Sequence, residues 1–88
     1  MTSFVDSYIN RRNRYCLGTE IGSGRRYVSI PVSNSLVDYE EFYAISEVEF
    51  TEFTRDEALA IAFVNKCRER LMDDRLILRP GSDRGVPV

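Results

Sequence analysis

Tyr15-Cys16-Leu17-Gly18-Thr19-Glu20-Ile21-Gly22-Ser23-Gly24-Arg25-Arg26-Tyr27-Val28-Ser29-Ile30-Pro31-Val32 is the stretch on which the fold turns. Tyr15, Leu17, Thr19 and Ile21 alternate with smaller or polar residues, Gly22-Ser23-Gly24 interrupts them, and Val28, Ile30 and Val32 resume the alternation. That pattern is a β-hairpin. With Ser23-Gly24 as a two-residue loop, Tyr15 faces Val32, Leu17 faces Ile30, Thr19 faces Val28 and Ile21 faces Arg26, which gathers the apolar side chains on one face. The reverse face then holds Gly18, Glu20, Arg25, Tyr27 and Ser29 as a solvated surface. Pro31 lacks a ladder donor, so the second strand is expected at an edge or to end there.

Working toward the N-terminus, Phe4, Val5, Tyr8 and Ile9 recur at helical spacing behind a possible cap at Thr2 or Ser3. Arg11, Arg12 and Arg14 would sit in the last turn of that helix, where cations suit the dipole. Toward the C-terminus, Ser33-Asn34-Ser35 reads as a loop and Tyr39 to Ile45 as a third strand. Residues 46–53 admit two readings. Val48 and Phe50 alternate as in a strand, while Ser46 with Glu49 forms a capping box ahead of Phe50 and Phe53; the short helix is preferred. Thr54-Arg55-Asp56-Glu57 reads as a second capping box, opening a helix that runs to about Met72. Leu59, Ala60, Phe63, Val64, Cys67 and Leu71 form its core arc. Asp73-Asp74 ends it, Arg75 to Leu78 makes a short strand, and Pro80-Gly81 breaks the chain.

These elements predict an α+β domain over residues 1–79: an antiparallel sheet of three to four strands, with an N-terminal helix and a long C-terminal helix packed on one face. Residues 80–88 are expected as an extended tail. Eighty-eight residues, 43% hydrophobic and 30% charged, suit one small core with a radius of gyration of about 12 Å. A chain this short gains from association. Its longest apolar run, Ala58 to Val64, is far shorter than the roughly 20 residues that span a bilayer. The opening residues do not read as a secretory signal, so a cytoplasmic protein with Cys16 and Cys67 reduced is expected.

The composition narrows the chemistry. Histidine is absent, which removes Ser-His and Cys-His nucleophile pairs within the chain. Asp73, Asp74 and Asp83 lack the spacing of a cation loop. Gly22-Ser23-Gly24-Arg25-Arg26 is not followed by the helix that a phosphate cradle needs. Neither catalysis, cofactor nor metal is expected.

The charge is unevenly spread. Residues 38–57 carry eight carboxylates against Arg55 alone. Such a block repels itself and gives folding nothing obvious in return, so Glu47, Glu49 and Glu52 are expected to meet a basic protein partner, as in an inhibitor or immunity protein. The alternative is a single-stranded nucleic-acid surface built on Arg12, Arg14, Arg25 and Tyr27. It is the weaker reading, because the sequence pI is near 5.1. A second stripe on the long helix, Ile61, Val64, Arg68 and Met72, predicts a homodimer interface.

Overall fold

The computed structural model describes residues 3–88. Four strands form an antiparallel meander: β1 (Phe4–Asn10), β2 (Tyr15–Glu20), β3 (Arg25–Ser33) and β4 (Asp38–Ile45), in that spatial order. Two helices follow, α1 (Glu47–Arg55) and α2 (Glu57–Arg68), then a 3-10 turn at Asp73–Arg75. A last two-residue strand, β5 (Val86–Pro87), returns to pair with β3. The α+β class is therefore as expected, and the order of helices is not.

The predicted N-terminal helix is the strand β1. Val5 pairs with Thr19 and Asp6 with Gly18, but Tyr8 pairs with Leu17 and Ile9 with Cys16, which leaves Ser7 as a bulge. A bulge inverts the alternation of faces, so Val5 and Tyr8 share one face while Phe4 and Ile9 share the other. The 4, 5, 8, 9 spacing imitated a helix for this reason. Of the two caps considered, Ser3 precedes the strand and Thr2 lies outside the described residues. Arg11, Arg12 and Arg14 occupy the turn into β2, which is closed by the Asn13 amide donating to the Asn10 side chain at 2.9 Å. Arg14 there adopts φ 56°, in the left-handed region.

The hairpin is also shifted by two residues, with Leu17 opposite Val28, Thr19 opposite Arg26 and Glu20 opposite Arg25. Glu20 explains the longer loop. Its carboxylate accepts from the Gly22 amide at 2.7 Å, the Ser23 amide at 3.1 Å and the Ser23 hydroxyl at 2.5 Å. Those bonds, the hydroxyl foremost, hold its carboxyl below the usual range despite burial. Because a slip of two preserves the face, Leu17, Val28, Ile30 and Val32 still point into the core. β3 is a central strand rather than an edge, and Pro31 sits where β2 has ended and β5 has not begun.

Tyr15, Leu17, Val28, Ile30, Val32, Tyr43 and Ile45 from the sheet meet Phe53, Ala60, Phe63, Val64 and Cys67 from the helices. Ser46 caps α1 with the full capping box anticipated. Asp56 both ends α1 and caps α2, its side chain accepting from the Ala58 amide at 3.0 Å. Thr54, expected as that cap, lies inside α1 with its hydroxyl on the Phe50 carbonyl at 2.8 Å. The second helix stops at Arg68, short of Met72, because Arg70 turns left-handed at φ 61°. The Arg70 and Leu71 amides then return to Cys67 and Lys66, both at 3.0 Å, as a Schellman closure.

The reverse face of the sheet is not simply solvated. Tyr27 and Ser29 are fully buried there. The Tyr27 ring packs edge-on against Phe4 and Phe42, and its hydroxyl donates to Asp6 at 2.5 Å. Ser29 donates to Glu40 at 2.9 Å. The expected strand at Arg75 to Leu78 contracts to one bridge, Leu76 to Tyr43 on the flank of β4, with the Ile77 amide on the Phe42 carbonyl. Past Pro80-Gly81 the chain is bound back to the sheet, the Gly85 amide donating to the Tyr39 hydroxyl at 2.7 Å.

Candidate functional site

Most of the acidic block serves the fold. Glu41 accepts from Arg84 and from the Tyr43 hydroxyl, Glu47 from Arg26 at 3.0 Å, and Glu57 from the Asn10 side chain at 2.7 Å. Glu49 is bonded to Arg75 at 2.7 Å and to the Ser46 amide at 2.8 Å. Partial burial raises its pKa, but these two partners outweigh that and leave the carboxyl below its usual range. The idea that these carboxylates give folding nothing is therefore corrected by the pairing of three of them with distant arginines.

What remains outward is a shoulder where α1 meets α2. Glu47 keeps 70% of its side chain exposed beside Arg26, and among the described residues Glu52 has no side-chain hydrogen bond or ion pair. Two adjoining clefts of about 330 and 360 Å3 share Glu52 and Arg55; one adds Glu47, Val48 and Thr51, the other Asp56 and Leu59. Val48 is 68% exposed and Leu59 45%. Water-facing apolar side chains at both ends of a charged groove are the distinctive feature of this surface.

Of the residues singled out from the sequence as partner-facing, Glu47 and Glu52 lie on this shoulder, while Val48 and Leu59 were not among them. Val48 was recoverable: Phe50 and Phe53 point inward, and steps of about 100° then carry Val48, Glu52 and Arg55 to the opposite side of the helix. Leu59 was misplaced because it stands at the edge of the apolar arc: at about 100° per residue the buried Ala60, Phe63, Val64 and Cys67 centre well away from it. Leu59 and Leu71 of the predicted core arc are exposed, while Ile61 and Met72 pack against the core.

The other predicted sites are dispersed. Arg12 and Arg14 lie in the β1–β2 turn, Arg25 begins β3 at the opposite end of β2, and Tyr27 is buried with its hydroxyl on Asp6. These four do not form one surface. Of the predicted dimer stripe, Val64 is fully buried, Ile61 and Met72 are partly buried, and Arg68 donates to the Asn13 carbonyl at 2.6 Å. The stripe faces this chain's own sheet. Both cysteines are free thiols. Burial pushes Cys16 up to about 11 and Cys67 to about 12, so neither is a ready nucleophile at neutral pH. Among the described residues no group of three or more His, Cys, Asp or Glu side chains could hold a metal ion, and no helix is long and apolar enough to cross a membrane.

The architecture is thus a four-stranded meander with two helices on one face and an open groove across their junction. No protein-family model, curated protein or solved structure matches the chain.

Proposed function

We propose that this chain is a non-enzymatic protein-interaction module whose partner docks on the α1–α2 shoulder, with Val48 and Leu59 as apolar anchors and Glu47 and Glu52 facing basic groups of the partner. The observation that carries the reading is the exposure of Val48 and Leu59 beside a carboxylate, Glu52, that the fold leaves without a side-chain partner among the described residues. Glu49 supports the site from behind by fixing the first turn of α1. An inhibitor-type role, in which this shoulder covers a basic surface, is the form of the reading that best uses the charge.

The test is capture from cell extract by immobilised wild type, followed by affinity measurement with the purified partner. Val48→Asp with Leu59→Asp is expected to abolish capture, and Glu52→Lys to slow association and weaken its salt dependence. A partner bound equally well by all the variants would exclude the shoulder.

A further inference from the structure

The reverse face of the sheet, away from the helices and the shoulder, holds a cleft of about 340 Å3 lined by Ile9, Cys16, Pro31, Glu40, Arg11 and Arg14, with Asn10 and Tyr15 at its margin. Two registered pairs make its floor: Ile9 beside Cys16, and Pro31 beside Glu40. The hollow arises from the topology. β2 ends at Tyr15 while β3 continues, and β5 joins β3 only at Val32 and Ser33, so beside Pro31 there is no strand residue and only one backbone bond, from the Val88 amide to the Pro31 carbonyl at 3.2 Å. Arg11 and Arg14 stand at the mouth on the β1–β2 turn. Among the described residues neither guanidinium has an ion pair or a side-chain hydrogen bond, whereas Arg26, Arg75 and Arg84 are all paired.

We propose that this cleft binds a monocarboxylate carried on a short apolar body. Arg11 and Arg14 take the acid group, for which a guanidinium fork is the natural partner. Ile9, Cys16 and Pro31 take the apolar part. Glu40 is fixed by Ser29 at 2.9 Å and places a negative charge within the same cleft, which disfavours a second acid group and sets phosphate and dicarboxylates at a disadvantage. Such an acid group could belong to a free organic acid or to the C-terminus of an apolar peptide.

Octanoate is the probe, titrated into labelled full-length protein and followed by amide chemical shifts. Saturable shifts at Ile9, Cys16 and Arg14 are expected, with little effect from suberate or octylamine. Arg11→Ala is expected to weaken octanoate about tenfold or more, as loss of a charge-assisted bond does. Arg14→Gly is expected to do the same while keeping the left-handed turn, so that lost binding is not lost folding. An N-acetylated apolar dipeptide and its C-terminal amide identify the source: binding of the acid form tighter than octanoate assigns the site to peptide termini, and weaker binding assigns it to free acids. No saturable shift at millimolar octanoate, equal binding of octylamine or suberate, or full binding by Arg14→Gly would overturn the proposal.

Discussion

The Phe4 ring, on the first strand of the sheet, stacks on the Phe42 ring, on the last long strand, with 3.7 Å between centroids and 13° between planes. Rings from strands that lie three places apart meet only if the sheet curls toward the face opposite the helices. Gly18 permits that closure, because a Cβ there would collide with the Val5 carbonyl and the Tyr27 hydroxyl. Gly18→Ala is therefore expected to destabilise by about 1–3 kcal/mol, as overpacking does. Urea unfolding measures it; a neutral or stabilising result would mean that the curled face is loosely packed.

Leu17 and Ile30 are fully buried in the helical core, and Ser29 is fully buried on the curled face. Truncation of Leu17 or Ile30 to Ala should cost about 2–5 kcal/mol. Ser29→Ala removes one hydrogen bond, to Glu40, and little volume, so about 1 kcal/mol is expected. The order of these three costs in chemical denaturation checks both sides of the sheet, and it fails if Ser29→Ala exceeds Ile30→Ala.

The sequence carried the face of the paired hairpin residues, because alternation survives a slip of two, but Ile21, expected opposite Arg26 on the core face, lies in the turn and is exposed. The register itself depended on the Glu20 carboxylate reaching Gly22 and Ser23, a contact that periodicity does not encode. The capping box at Ser46 was legible because it is a local hydrogen-bond motif. β1 was not, since one inserted residue, Ser7, converts period two into apparent helical spacing. The site was half legible for a similar reason: charge clustering points to a region, but which carboxylates are free depends on Arg26, Arg75 and Arg84 arriving from distant parts of the chain.

Arg84 closes the C-terminal segment by bonding Glu41 at 2.8 and 3.2 Å and Asp73 at 2.7 and 2.9 Å. Its hydrogen bonds hold the Asp73 carboxyl below the usual range, as Arg75 and Ser46 do for Glu49 against its burial. A lowered carboxyl contributes stability that is present above its unfolded value, about 4, and is lost as pH falls through the folded value. Stability should thus hold at neutral pH and decline below about pH 4. Arg84→Ala leaves Glu41, 6% exposed, without its guanidinium, for an expected loss of about 3–5 kcal/mol at neutral pH. The gap to wild type should narrow in acid as the carboxyls protonate; a gap independent of pH in urea titrations would contradict the clasp.

The alkaline limb rests on hydroxyls and thiols. Burial, reinforced by donation to Asp6 and Glu41 respectively, raises the Tyr27 and Tyr43 hydroxyls well above the ordinary tyrosine value, and burial raises Cys67 to about 12. A group whose pKa is raised by folding contributes stability that is fully present below its unfolded pKa and is lost as pH rises through the folded one. Stability should accordingly fall from about pH 8.5–10 upward, the unfolded range of cysteine and tyrosine. In a pH titration, the last part of the tyrosinate absorbance should appear only together with loss of the near-ultraviolet dichroism. Iodoacetamide at neutral pH should leave the fully buried Cys67 unmodified in the folded protein and reach it once urea unfolds the chain. Tyr43→Phe should make the alkaline decline shallower, since one raised group is gone. Complete tyrosine ionisation while the dichroism is still native would show that Tyr27 and Tyr43 are not held in their protonated form by the fold.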